Sequence, residues 1–434
     1  MGTHFHASPA NGHTPQLQYV DLAFDSNEIE QSAFTLAYRI QPKWREGPGD
    51  MEIVRFTEGI TNTVCTPQLL QGTCSRLTFG IKLLKLAKHV PGHSQSQIDQ
   101  DSILLRAYGN NTDILIDRDR EAKTHALCAE RGLAPPLLAR FKNGLLYRYI
   151  PGQVCTPQDL IQEPIWRAVA RKLGKWHAQL PVSELEDSRN AVNGRKENGI
   201  TSELRQPNGD AASRLPQPNI WSVIQKWIHA LPNDSPKQKA RRELLQQELD
   251  RSIKDLHTEQ GPGMHGLVLG HCDLLSANVI MLPKGSSSAA NDELEVSIID
   301  YEYAVPCPAA FDVANHFAEW GGYDCDYNML PTKSIRRQFL QEYLESYKAH
   351  SDNTVSNDML DVLTAEVDRY RGMPGFYWGV WALIQATISQ INFDYASYAE
   401  VRLGEYFGWR AEESGSRATE KAEMPLRERR WAEP

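Results

Sequence analysis

Residues Gly270 to Asn278 read G-H-C-D-L-L-S-A-N, the form H-x-D-x4-N, and Ser297-Ile298-Ile299-Asp300 follows as an apolar strand ending in a carboxylate. This pattern constrains the fold strongly. Three polar groups must converge from one tight loop and one adjacent strand end. Phosphoryl transfer asks for a carboxylate that orients the attacking hydroxyl and takes its proton. It also asks for an amide and a second carboxylate that hold Mg²⁺ on nucleotide phosphates. Asp273 suits the first role, Asn278 and Asp300 the second. An H-x-D triplet alone recurs by chance; with Asn278, the strand and Asp300 in order, the pattern is specific.

The segments before this loop alternate strands with one helix. Glu52–Phe56 reads as a strand and leads into the turn Gly59-Ile60-Thr61-Asn62, where small residues let backbone N–H groups approach phosphate oxygens. Ser102–Arg106 is a second strand, and Asp117–Arg131 a helix closed by Gly132. Arg106 at the strand end and Glu121 early in the helix form a candidate phosphate-binding cation and its carboxylate partner. Leu145–Ile150 is a further strand. From Thr156 the period becomes helical, with Ile165, Trp166, Val169, Leu173, Trp176 and Leu180 on one stripe. Helices are expected at Ile220–Leu231 and Pro236–Leu256, short strands at Leu267–Leu269, Asn278–Met281 and Val296–Asp300, and mainly helix from Phe311 to Trp409. Near the end, Glu319, Trp378, Trp381 and Tyr398 combine aromatic faces with a carboxylate. Such a set suits a small ammonium ion through cation–π attraction and a charged hydrogen bond.

Composition supports a soluble globular chain, and the strands around one helix give it an α+β pattern. Of 434 residues, 41% are hydrophobic and 23% charged, and no apolar run approaches the roughly 18 residues of a membrane helix. The net charge of −9 argues against nucleic acid or an anionic membrane as the main partner. Seven scattered cysteines without a C-x-x-C suit a reducing, cytoplasmic setting. Residues 1–33 read as a loosely ordered arm, 184–214 as a polar insert, and 411–434 as a charged tail that frays.

The stretches RFTEGITNT, ILLRAYGNNTDILIDRDRE, LAPPLLARFKNGLLYRYIPG, GHCDLLSANVI, IIDYEYAVPCPAAFDVANHFAEW and FYWGVWALIQATISQINFDYASYAEVRLGEYF resemble the choline/ethanolamine kinase family. The likeness runs from about Gln41 to Trp409. It implies a two-lobed protein-kinase-like fold, with a small strand-rich lobe over 34–150 and a mainly helical lobe over 151–410. It implies ATP and Mg²⁺ as cofactors and a small amino alcohol as acceptor, ethanolamine or choline. Leu274-Leu275 after the loop carboxylate and the wording NNTDILIDRDRE and INFDY resemble the ethanolamine-directed members. By the same resemblance Asp273 is the catalytic aspartate, and Asn278 and Asp300 the metal ligands. Arg106 and Glu121 take the phosphate-side pair, Gly59 to Asn62 the phosphate loop, and Arg148, Tyr149 and Ile150 the hinge beside adenine. Glu319, Trp378, Trp381 and Tyr398 form the amino-alcohol pocket. A homodimer is compatible with it. The competing readings are a choline kinase or dual-specificity enzyme, an aminoglycoside-type phosphotransferase, and an inactive nucleotide-binding pseudokinase.

The chain departs from the family pattern in three places. Cys272 stands where Asn is usual, which is expected to loosen the loop. VPCPAAFD replaces a Tyr/Asn-rich run before the next helix. Val64 to Lys82 interrupts the phosphate loop, where ITNT would otherwise run straight into LLKL. Two origins fit that segment: translation of a retained short intron, or a genuine surface insertion.

Overall fold

The structure, a computed structural model, describes residues 17–56, 82–109, 112–183, 218–256, 266–283, 293–352, 356, 358–389 and 391–434. The turn Gly59-Ile60-Thr61-Asn62, the added segment up to residue 81, and the polar insert 184–214 lie outside the described residues. The chain divides into two compact units. One comprises described parts of 1–55, 83–107 and 136–149; the other comprises described parts of 56–82, 108–135 and 150–434.

The first unit is built on a six-stranded sheet. Its strands are β1 (Tyr19–Val20), β2 (Asp50–Phe56), β3 (Lys82–His89), β4 (Ile103–Ala107), β5 (Leu137–Phe141) and β6 (Gly144–Arg148), in the order β1-β5-β6-β4-β3-β2. The run Ile-Leu-Leu-Arg-Ala of β4 is buried throughout, as befits an inner strand between β6 and β3. Its register with β6 sets Ile103 opposite Arg148 and Arg106 opposite Leu145. The helix Ile29–Ile40 adds Ala33, Leu36 and Ala37 to the core beneath the sheet, with Leu86, Leu105 and Phe141. Residues 17–33, part of the segment read from sequence as a loosely ordered arm, pack onto this unit. β1 pairs with β5 in parallel, Phe24 is buried, and the Asn143 side chain bonds both the N–H and the C=O of Phe24. A two-residue strand is too short to announce itself by periodicity, and the helix begins within the polar run Ser-Asn-Glu-Ile-Glu-Gln.

In the second unit, the helix Arg118–Glu130 is capped by the Asp117 carboxylate, which accepts from the N–H of Arg120 at 3.0 Å. It ends before Gly132, whose φ of +65° suits glycine. Its Leu127 and Cys128 share an apolar core with Trp176, Phe311 and Trp381, so this helix belongs with the helical unit. The strand-rich unit therefore differs from residues 34–150: it takes in described residues before 34 and leaves 108–135 to the helical unit. Helix Glu163–Gln179 turns Ile165, Trp166, Val169, Leu173 and Trp176 into that core, and Trp176 Nε1 donates to Leu269 O at 2.7 Å.

Two small sheets flank the H-x-D-x4-N segment. β8 (Val268–Gly270) pairs antiparallel with β11 (Val305–Cys307); β9 (Val279–Met281) pairs with β10 (Val296–Ile298) and with β7 (Gln153–Val154). The loop thus runs from one sheet to another, pinned at both ends. Helix Met373–Ile388 lies tightly against helix Tyr395–Glu413. A Cβ on Gly375 would come within 2.4 Å of Arg402 O, and one on Gly379 within 2.6 Å of Leu403 Cγ. Glycines at i and i+4 allow this close approach, which brings Trp378 and Trp381 beside the Tyr398 helix.

The C-terminal segment does not fray. After Glu413 it forms helices Ser416–Glu420 and Leu426–Ala432, and Trp431, Arg427 and Glu428 are buried. Among the described residues, no helix is long and apolar enough to cross a membrane.

Candidate active site

The loop is held by one buried carboxylate. Asp312, on helix Ala309–Ala318, accepts the N–H of His271 at 2.9 Å and that of Cys272 at 2.7 Å. His177 Nε2 donates to the same carboxylate at 2.9 Å, and its Nδ1 meets the Tyr343 hydroxyl at 2.8 Å. Burial alone would raise the Asp312 carboxyl; the hydrogen bond and charge of His177 hold it below the ordinary value. Such a charge-assisted clamp fixes two successive N–H groups immediately before Asp273.

Histidines tie the rest. His271 Nε2 bonds the Ile299 carbonyl at 3.0 Å, which requires the proton on Nε2; burial lowers its pKa to about 4, so the ring stays neutral. His316 Nδ1 donates to Leu274 O at 2.7 Å, and Trp320 Nε1 donates to its Nε2 at 3.1 Å. The N–H of Ile299 donates to Asn278 O at 3.0 Å. These bonds bring Asp300 beside Asn278, although the two are 22 positions apart. Asp300 has φ +69° and Cys272 φ +60°, left-handed conformations at both ends of the constellation.

Asn278 Nδ2 donates to Asp273 O at 2.8 Å and to Asp273 Oδ2 at 3.1 Å. Its amide nitrogen is thereby spent, leaving the amide oxygen as its metal-donor atom. Burial pushes the Asp273 carboxyl well up, and the neighbouring carboxylates of Asp300, Glu319 and Glu302 push it further, against the Asn278 hydrogen bond. Crowded carboxylates with an amide oxygen form a hard-oxygen donor set that fits Mg²⁺.

The aromatic residues converge on this loop. Asn315 Nδ2 donates to Cys272 O at 3.1 Å while its Oδ1 accepts from Trp378 Nε1 at 2.9 Å. Trp381 Nε1 donates to the Tyr303 hydroxyl at 2.8 Å. Tyr303 and Trp378 meet edge to face at 5.5 Å, as do Trp378 and Trp381 at 5.4 Å. Glu319 is buried and bonded to Arg402 Nη2 at 3.2 Å; burial raises its carboxyl despite that arginine. The Arg402 guanidinium lies over the Tyr398 ring at 5.9 Å.

Other predicted residues fall differently. Arg118 Nη1 bridges Glu121 at 2.9 Å and Glu302 at 3.0 Å, so Glu121 is tied to the segment following Asp300. Arg106 is buried on β4 of the other unit. At the hinge, the N–H of Arg148 is taken by Pro136 O and that of Tyr149 by Ser102 O, so these two donors are already used within the sheet. Ile150 belongs to the helical unit and lines a cavity of about 590 Å³ with Gly132, Lys172 and Lys175, which none of the other predicted residues lines.

The loop is not loosened by Cys272. Its N–H and C=O are both engaged, and its Sγ lies 3.7 Å from Cys307 Sγ. The two departures from the family wording therefore touch each other. Asp312, Asn315 and Tyr303 carry much of the site yet were not singled out in the sequence. A signal existed: Asp312, Asn315, His316 and Glu319 fall at i, i+3, i+4 and i+7 on a helix otherwise wholly apolar.

A strand-rich unit, a helical unit and a pinned H-x-D-x4-N loop ending against a second aspartate define a protein-kinase-like phosphotransferase. The chain belongs to the choline/ethanolamine kinase family, whose model matches residues 53–407. It is 29% identical over 424 residues to ethanolamine kinase 1 of Mus musculus, spanning 95% of this chain and 98% of that protein. It is 30% identical over 400 residues to the probable ethanolamine kinase of Nematostella vectensis, spanning 90% and 95%. The ethanolamine kinase of Plasmodium vivax has a similar fold, with a TM-score of 0.64, 21% identity, and coverage of 88% of this chain and 89% of that one.

Proposed function

We propose that the chain transfers the γ-phosphoryl group of ATP to the hydroxyl of ethanolamine, the first step of the CDP-ethanolamine route to phosphatidylethanolamine. One observation carries the reading. Asn315 bonds the backbone of the H-x-D-x4-N loop with one side of its amide and Trp378 with the other. The carboxylate suited to the hydroxyl and the aromatic wall suited to the ammonium are thus parts of one hydrogen-bonded network. The similarity to proteins named ethanolamine kinase supports the choice of acceptor.

In this mechanism Asp273 orients the acceptor hydroxyl and takes its proton as oxygen bonds to the γ-phosphorus and ADP leaves in line. Asn278 and Asp300 would hold Mg²⁺, which supplies charge neutralisation on the phosphates when bound. Arg106 is the proposed phosphate-side cation and Glu121 its helix partner. Gly59 to Asn62 would cradle the phosphates. The hinge Arg148 to Ile150 would meet adenine mainly through carbonyls, since two of its N–H groups are used. Glu319, Trp378, Trp381 and Tyr398 would hold the ammonium end, whose three N–H donors suit a carboxylate better than a quaternary ammonium does. The reading carries a cytoplasmic setting and allows a homodimer. An assay of ADP release with ethanolamine, with choline and with no acceptor tests it. Ethanolamine-dependent release is expected. Release without acceptor, or with choline alone, overturns the assignment.

A further inference from the structure

We propose that Arg427, on the C-terminal helix Leu426–Ala432, is a positioning residue for Glu319, acting through Glu405 and Arg402. The inference rests on the reading of Glu319 as the carboxylate that meets the acceptor's ammonium.

Four buried charges alternate in space. Glu319 Oε1 lies 3.2 Å from Arg402 Nη2, Arg402 Nε 3.4 Å from Glu405 Oε2, and Glu405 Oε2 3.8 Å from Arg427 Nε. Each of these side chains is at most 4% exposed. The alternation continues outward. Arg427 Nη1 meets Glu428 Oε1 at 3.0 Å, Glu428 Oε2 meets Arg371 Nε at 2.8 Å, and Arg371 Nη1 meets the half-exposed Glu413 at 2.9 Å. Four carboxylates and three guanidiniums leave the run one negative charge in excess. Its inner end is Glu319, near enough to Asp273 and Tyr398 for its charge to act on both. A ligand carrying a single ammonium would complete the alternation there.

Arg402 is shared between two carboxylates, and the division is set by Arg427. With Arg427 present, Glu405 has a second cation, which it shares with Glu428, and Arg402 can hold Glu319. Without it, a buried carboxylate is left under-compensated and draws Arg402 toward itself. Glu319 then loses the bond that fixes it. The C-terminal helix is anchored to deliver this charge. Trp431 lies under the Arg336 guanidinium at 3.9 Å, its Nε1 donates to Asp368 Oδ1 at 2.8 Å, and the N–H of Lys333 donates to Glu433 O at 2.9 Å.

Initial rates of ADP release by the full-length chain, with ethanolamine and ATP varied separately, test this in Arg427→Met, Arg427→Lys, Trp431→Phe and the double variant Arg427→Met/Glu405→Gln. Arg427→Met is expected to raise KM for ethanolamine about tenfold, with kcat and KM for ATP changed by less than about twofold. Arg427→Lys restores most of the loss. The double variant returns KM toward wild type, because Arg402 then serves Glu319 alone, and it stays informative if the single variant does not fold. Trp431→Phe, which keeps an aromatic ring under Arg336, lowers the Tm and moves KM far less than Arg427→Met does. An unchanged ethanolamine KM in folded Arg427→Met overturns the inference. So does a double variant no better than the single one, or a KM rise for both substrates alike. If wild type turns over neither ethanolamine nor choline, the functional reading fails and this inference with it; if wild type is active, a null result in the variants sinks the inference alone.

Discussion

Two buried aspartates in the helical unit receive opposite treatment. Asp312 is surrounded by donors: two loop N–H groups and His177, itself backed by Tyr343. Asp273, immediately after that clamped pair, faces Asp300, Glu302 and Glu319 and has one side-chain amide to help it. The first carboxyl is held down and the second pushed up. Charge is thus neutralised where the chain must be rigid, and left unsatisfied where cationic ligands would supply the balance. A buried polar group without full compensation costs stability, and active sites are where such costs are concentrated.

The largest effect that would break this contrast is at Asp273. Asp273→Asn should lower kcat by about 10³-fold or more, the scale of a lost general base. The same substitution should raise the Tm at neutral pH. The sign follows from linkage. A carboxyl whose folded pKa lies above its unfolded value penalises the folded state once ionised, so removing the charge relieves the fold. A variant that is both inactive and less stable would contradict the picture of Asp273 as a strained charge.

Asp312 should behave in the opposite sense. Asp312→Ala leaves His177 and two N–H groups without their acceptor, and should cost about 3–5 kcal/mol in urea unfolding, with activity lost as the loop loosens. Its lowered pKa contributes stability above the ordinary carboxylate range, lost as pH falls through the depressed value. Acid scans of Asp312→Ala and Asp273→Asn should therefore diverge.

A smaller and sharper test is the acid limb of kcat. If Asp273 takes the proton as proposed, it must be ionised, and because its carboxyl is pushed up, kcat should fall at a higher pH than an ordinary aspartate would give. Removing one repelling neighbour with Glu302→Gln should move that limb to lower pH; a limb that stays put would show that Glu302 does not act on Asp273. The smallest effect expected is at the aromatic wall. Trp381→Phe removes the N–H donated to Tyr303, worth about 1 kcal/mol, and trims the ring that packs on Trp378. It should raise the ethanolamine KM a few-fold with kcat nearly intact.

What could be read from the sequence follows the same division. Asp273, Asn278 and Asp300 were legible because loop chemistry fixes their spacing, and strands such as β4 were legible because inner strands are continuous apolar runs. The helices Arg118–Glu130, Ile220–Ala230 and Pro236–Leu256 appeared within a residue of their observed ends, while those after Phe311 were read only as mainly helix. Asp312 was not legible as the loop's clamp, because its partners are His177, 135 positions earlier, and two backbone N–H groups, which carry no side-chain signature. The run Arg-Glu-Arg-Arg at 427–430 reads as a solvated charge cluster, yet Arg427 and Glu428 are buried in an ion network with Glu405 of helix Tyr395–Glu413 and Arg371 of the turn before Met373. Periodicity of apolar residues cannot find burial that is satisfied by charge. The N-terminal strand escaped for a third reason: its partners are Arg140 and Phe141, and the Asn143 side chain holds the following Phe24 from 119 positions away.

That N-terminal strand has a consequence for solubility. β5 would otherwise be an outer strand of the six-stranded sheet, with its N–H groups open to another chain. Instead, Arg140 N donates to Gln18 O and Lys142 N to Leu22 O, so a short stretch of the chain's own beginning occupies the place a foreign strand would take. Since β5 and β6 are synthesised long after residues 18–22, the stretch is already present when the hairpin forms. The protein makes its own edge guard before it makes the edge.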